Sequence, residues 1–333
     1  MRSPLQVFLT VDTEASIAGC FDNPLQHPPL LSEPIDGVVN GTSEALGFLL
    51  RTLQHYQLTA TFFTESLQSR YFGVAPMQKR VAQILEAGQD VQLHVHPCWL
   101  NFAEGRLVNP KPNDQSTGRP LDELIAIFTE AQERFSDWGF GAAKAVRTGN
   151  FSTGMDTFVA CREAGLLLSS NIAVALRPPK EAALHEKKYG FQLISGVTEL
   201  PLTSFRSYRL NGRAANRIMA ITACSIDEMT QVLEQAYEQG MNSVCILTHP
   251  FEFITRSSLR FDNMRANRLN QKRFQLLCDF LSRNDQKYRC ATFGELNTAE
   301  LRYTNNTDAQ LFGSYPQMLR RTAENISSDY FGR

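Results

Sequence analysis

Short runs of apolar and β-branched residues at 5–11, 58–63, 90–96, 143–147, 167–171, 197–200, 243–248 and 288–292 alternate with amphipathic stretches along the chain. Alternation of this kind, with a helical stretch between most strands, is what repeated βα units around a parallel sheet require, and it restricts the chain to an α/β fold. Helices are predicted at about 42–56, 77–87, 121–137, 155–164, 226–239 and 268–282. The clearest is the fifth. Ser225 and Glu228 form a capping box, Ile226, Met229, Val232, Leu233, Ala236 and Tyr237 follow helical spacing, and Gly240 ends the segment. Pro76 and Gly88 bracket the second helix and Pro120 opens the third.

No linker, charge block, low-complexity tract or repeat divides the 333 residues. One barrel-like domain over 1–300 is the economical reading, followed by a tail at 301–333 that is polar and weakly periodic from Thr304 onward and that packs loosely or reaches a neighbouring subunit. Segments 15–41, 97–119 and 249–267 follow predicted strands and are long for connections within a compact domain, which marks them as functional surface. The formal charge of −1, from 33 basic and 34 acidic residues, offers no field that would draw nucleic acid or an anionic membrane. Seven cysteines without a CxxC pair suggest reduced thiols. The apolar run Val7 to Val11 is interrupted by Asp12, too short for a signal peptide, and no run approaches membrane-spanning length, so a cytoplasmic protein is expected. The sequence is silent on oligomeric state.

The unusual polar residues lie where predicted strands end, the face that carries active sites in βα barrels. Strand one ends in Thr10-Val11-Asp12-Thr13-Glu14, strand three in Leu93-His94-Val95-His96-Pro97, strand four in Val146-Arg147-Thr148-Gly149 and strand seven in Leu247-Thr248-His249-Pro250. In extended backbone residues two apart point the same way, so Asp12 with Glu14, and His94 with His96, can each face one site. His-x-His offers two neutral imidazole nitrogens to a divalent ion, and a carboxylate can complete an open three-ligand site. Each residue alone also has a plain structural reading: satisfied histidines at a sheet edge, an Asx turn at Asp12, a solvated Glu14, a bridging Arg147. Four strand ends together supply two carboxylates, three imidazoles and a guanidinium.

These motifs, with Ala60-Thr61-Phe62-Phe63 between the first two and Phe293-Gly294-Glu295-Leu296 after the last, resemble in order and approximate spacing those of the NodB-homology polysaccharide deacetylases over nearly all of 5–297. The resemblance implies a distorted (β/α) barrel, a zinc or similar divalent ion, and hydrolysis of an N-acetyl group on a carbohydrate substrate. It implies Asp12 as general base, Arg147 as the partner orienting it, His249 as general acid, and His94 and His96 as metal ligands. Glu14 is the candidate third ligand, and the sequence leaves the choice between Asp12 and Glu14 as the carboxylate ligand open. Two departures stand out: the usual adjacent Asp-Asp is Asp12-Thr13-Glu14, and the usual His-x-x-x-His is His94-Val95-His96. Where relatives carry an Asp-rich motif orienting the catalytic histidine, Glu199 is the candidate here. Trp99 and Phe251, with Phe102 and Phe253, follow the histidine motifs and either stack on a sugar ring or anchor loops under the rim. The alternatives to a carbohydrate deacetylase are a barrel that only binds glycans and an amidohydrolase acting on a non-sugar amide.

Overall fold

The computed structural model describes residues 2–304 and 310–331. Its centre is a nine-stranded sheet built from β1 (Leu5–Thr13), β2 (Thr61–Glu65), β3 (Asp90–Val95), β4 (Ala145–Thr148), β5 (Leu168–Ser169), β6 (Gln192–Ile194), β7 (Val197–Glu199), β8 (Ser243–Thr248) and β9 (Tyr288–Cys290), in spatial order β6-β7-β5-β4-β3-β2-β1-β8. Every pairing is parallel except β6 with β7. β1 has three partners: β8 along one edge, and on the other β9 beside Leu5 to Val7 and β2 beside Thr10 to Thr13. The sheet curls until its two ends approach. Beyond β7, Thr203 donates its N–H to the Cys245 carbonyl at 3.2 Å, and Met219 and Ile221 hydrogen-bond to Leu247 on the same edge of β8. The result is the expected distorted (β/α) barrel, closed along one seam by irregular backbone rather than by a strand.

All six expected helices form: α1 (Leu46–Tyr56), α2 (Ala75–Glu86), α3 (Leu121–Ser136), α4 (Met155–Glu163), α5 (Ile226–Glu238) and α6 (Arg268–Arg283). The capping box of α5 is present in both directions, Glu228 N–H to Ser225 Oγ at 3.3 Å and Ser225 N–H to the Glu228 carboxylate at 3.0 Å. Alternation along β1 sorts the core into two layers. Leu5, Val7, Leu9 and Val11 pack against the helices, whereas Phe8 joins Phe63, Ala145, Cys245 and Phe293 inside the barrel.

Strand β6 was absent from the sequence reading, and so were two further features. A hairpin of Ser204–Tyr208 with Ala214–Ile218 follows β7, and the polar tail folds into α7 (Tyr315–Phe331) rather than trailing loosely. The reason its periodicity is weak is visible in what α7 buries: beside Met318, its inward face carries Arg321, which pairs with the wholly buried Glu228 of the α5 cap. Within the tail, 305–309 and 332–333 lie outside the described residues. No helix among the described residues is long and apolar enough to cross a membrane, and the cysteines described are all free.

Candidate active site

The inward register of Phe8 on β1 continues through Thr10 and Asp12, and the same alternation turns Phe63 and Glu65 on β2, His94 on β3, Arg147 on β4 and Cys245 and Leu247 on β8 away from the helix layer. The barrel is therefore filled in tiers. Phe8, Phe63 and Phe293 form an apolar floor of edge-on rings. Arg147 lies on that floor with its guanidinium 4.3 Å from the Phe63 ring centre. A buried guanidinium needs partners for five N–H groups. Arg147 donates to Asp12 Oδ1 at 2.5 Å, to Thr10 Oγ1 at 3.0 Å, to the Ser170 carbonyl at 3.1 Å and hydroxyl at 2.8 Å, and to Cys245 Sγ at 3.7 Å.

Asp12 is 2% exposed and uses only one oxygen on Arg147. Its Oδ2 lies 3.8 Å from His249 Nε2. His249 sits in extended backbone just past β8, as the following Pro250 requires. Its Nδ1 lies 3.0 Å from Glu252 Oε1, and the other Glu252 oxygen accepts from Thr248 Oγ1 at 2.7 Å and from His249 N–H at 3.2 Å. Burial pushes the imidazole down, but Glu252, Asp12 and Glu14 outweigh it and raise it to about 9.

One tier higher, Glu14 Oε2 lies 2.6 Å from His96 Nε2 and 3.2 Å from His94 Nε2, and the two imidazoles are 4.9 Å apart. Their ligand atoms all lie within 4.8 Å of one another. His94 Nδ1 is buried and has no hydrogen-bond partner among the described residues. His96 Nδ1 is held by Asp114 at 2.7 Å, and Asp114 also accepts from Cys98 N–H at 3.1 Å and from Asn150 Nδ2 at 2.5 Å. Burial raises the Glu14 carboxyl, yet the neighbouring imidazoles hold it well below the usual carboxylate range. Burial lowers His96, yet Glu14 and Asp114 lift it well above the usual histidine value. A donor set of one carboxylate and two imidazoles, with a buried unpaired ring nitrogen and further carboxylates around it, fits a divalent cation.

Gly149 explains part of the fourth motif, because a Cβ there would lie 2.3 Å from His96 Nδ1, so only glycine lets the ring pack on this turn. Glu65 supports the cluster from below. It is wholly buried and accepts from the N–H groups of Leu67, at 2.7 Å, and of His96. Burial raises its carboxyl to about 8, against the charge of His96 and these bonds.

The structure brings Asp12, Glu14, His94, His96, Arg147 and His249 to one mouth, and corrects two expectations. Glu199 does not orient His249. Its carboxylate is enclosed by Ser169 Oγ and the N–H groups of Asn171 and Ile172, while Glu252 occupies the place at His249. Burial pushes Glu199 up to about 7 despite those bonds and the charge of Arg147. Trp99 is 1% exposed and packed on Phe72 and Phe102, which makes it a loop anchor unable to reach a ligand. Phe102 and Phe253 are likewise wholly buried. Phe251 is half-buried and stacks on His249 at 4.8 Å. Glu65, Asp114 and Glu252 were missed by the sequence reading. Only Glu252 left a trace, a glutamate three residues after an extended residue that precedes proline, which is capping-box spacing.

No family model matches the chain, and no curated protein matches it in sequence. Solved structures do match. A crystal structure described as a putative polysaccharide deacetylase from Mycobacterium smegmatis superposes with a TM-score of 0.57 at 12% identity, covering 93% of this chain and 96% of that one. A family 4 carbohydrate esterase from Streptomyces lividans, in complex with acetate, gives 0.42 at 12% identity over 90% of this chain and 96% of its own. A family 4 pseudoenzyme from Bacillus anthracis gives 0.42 at 10% identity over 94% and 71%. The first of these similarities establishes a shared fold.

Proposed function

We propose that the chain is a metal-dependent hydrolase that removes an N-acetyl group from a carbohydrate, with residues 1–300 as the working barrel and 301–333 as an appended tail. One observation carries the reading: Asp12 Oδ2 and His249 Nε2 face each other at 3.8 Å directly beside the Glu14, His94 and His96 cluster. A pure binding module has no need of an opposed carboxylate and imidazole, each held from behind by a charged partner.

Glu14, His94 and His96 are the residues that would hold the ion, zinc or a similar divalent metal. When bound, such an ion supplies Lewis acidity toward an amide carbonyl. Asp12 keeps one oxygen on Arg147 and turns the other to the mouth, the arrangement needed to take a proton from an attacking water. His249, held at Nδ1 by Glu252, turns Nε2 to the same space and carries a proton at neutral pH, as a group that protonates a departing amine must. Phe251 flanks His249 with its ring and offers an apolar face to a sugar. The fold shared with the Mycobacterium smegmatis structure is consistent with this chemistry.

The experiment is acetate release from N-acetylated oligosaccharides by protein stripped with chelator and then reloaded with zinc. Activity should appear only on reloading. Protein that binds no divalent ion and releases no acetate from any N-acetylated sugar would overturn the proposal.

A further inference from the structure

We infer that Arg256 is an anion-reading subsite at the barrel mouth and that the carbohydrate carries a phosphate or carboxylate near its N-acetyl group; this rests on the deacetylase reading for the identity of the carbohydrate. Arg256 lies in the long segment after β8, exposed, with its guanidinium carbon 4.0 Å from the Phe261 ring centre and 5.8 Å from that of Phe251. Phe261 is buried, and it holds a left-handed backbone at φ 61°, a conformation that a bulky residue keeps only where its surroundings enforce it.

Two rings thus flank the guanidinium, and no hydrogen bond or ion pair occupies its N–H groups among the described residues. The other arginines around the mouth differ. Arg147 is saturated, Arg260 donates to the carbonyls of Ala18 and Pro28, and Arg177 donates to Gln115 and Asn150. An arginine stacked on aromatic faces with its fork of donors free is preorganised for a planar or tetrahedral oxyanion, since little side-chain entropy remains to be lost.

Position defines the ligand further. Phe251 adjoins both Arg256 and His249, with separations of 5.8 and 4.8 Å, so the guanidinium is within about 11 Å of the imidazole. That span fits an acid group on the sugar that bears the acetamide or on its immediate neighbour. A charge many residues along a polymer would fall elsewhere. If Arg256 merely covered Phe261, an apolar side chain would do as well and its charge would be immaterial.

The test is equilibrium binding to the zinc-loaded full chain at low salt, using N-acetylglucosamine 1-phosphate, N-acetylmuramic acid and the neutral methyl glycoside of N-acetylglucosamine. The wild type should bind at least one charged probe on the order of 10–100-fold tighter than the neutral one, the scale of hydrogen bonds to a charged group. Preference for the first probe identifies phosphate as the group read, and preference for the second identifies carboxylate. Arg256→Met keeps an apolar side chain beside Phe261 and should abolish the preference, while Arg256→Lys should retain part of it. Equal binding of the three probes, binding of none, or a preference that survives in Arg256→Met overturns the inference. Acetate release is scored separately, so a protein that prefers the charged probe yet releases no acetate sinks the deacetylase reading and leaves the anion site standing.

Discussion

Asp12 stands between two cationic groups in different ways, one oxygen bonded to Arg147 at 2.5 Å and the other 3.8 Å from His249 Nε2. The first contact fixes the carboxylate, and the second leaves room at the mouth for a reacting group. Asp12→Asn removes the proton acceptor without touching Glu14, His94 or His96. Turnover should fall on the order of 10²–10⁴-fold while zinc content stays at the wild-type level. Loss of zinc in Asp12→Asn, with retention in Glu14→Gln, would exchange the roles of the two carboxylates.

His249 gives a signed pH prediction. Its value is raised to about 9, so it is charged across neutrality and loses its proton as pH rises through that value. The stabilisation it draws from Glu252 and Asp12 is present in full below the ordinary histidine value near 6.5, and it is lost as pH climbs toward 9. The rate profile should have an alkaline limb near pH 9 that moves to lower pH in Glu252→Gln, the variant that removes the largest attraction. His249→Ala should have no such limb. A limb that keeps its position in Glu252→Gln would detach it from His249.

Asp114 accepts three donors, from His96 Nδ1, Cys98 N–H and Asn150 Nδ2, and donates nothing. An amide cannot do the same, because its NH₂ end must face one of those donors. Asp114→Asn should therefore disturb the His96 ring and weaken zinc binding by roughly 10–100-fold, the usual effect of losing a carboxylate behind a ligating histidine. Competition with a chromophoric chelator measures this directly, and affinity equal to the wild type would exclude Asp114 from holding His96.

Gly149→Ala places a methyl group on the His96 ring, which must move. Zinc affinity and acetate release should both fall, with thermal stability of the metal-free protein little changed, since the mouth rather than the core is disturbed. Near-native zinc affinity would mean that the ring relocates without consequence.

Much of this architecture was legible in the sequence for a simple reason. Parallel strands buried on both faces read as apolar runs, and polar residues that end several such runs in one chain, as at His94 and His249, stand out against that background. The capping box at Ser225 and Glu228 was equally local. What escaped notice depends on contacts between distant segments. Asp114 meets His96 from a long loop, and Arg321 of α7 meets Glu228 across the fold, so neither leaves a pattern of spacing. Glu199 and Trp99 misled because both are of the right residue type near the right motifs, and only burial distinguishes a residue that serves the backbone from one that faces the mouth.

The three-way pairing of β1 has a consequence for how the molecule comes into being. Leu5 to Val7 are paired with Tyr288 to Cys290, and the opposite edge waits for Ser243 to Thr248. The strand that supplies Asp12 is thus made well before β8 and β9, two of its three partners. Long-range pairing of this kind slows folding and leaves an apolar edge bare in the interim. The pocket floor shares that dependence, since Phe8 and Phe63 pack on Phe293, which follows β9 in the chain.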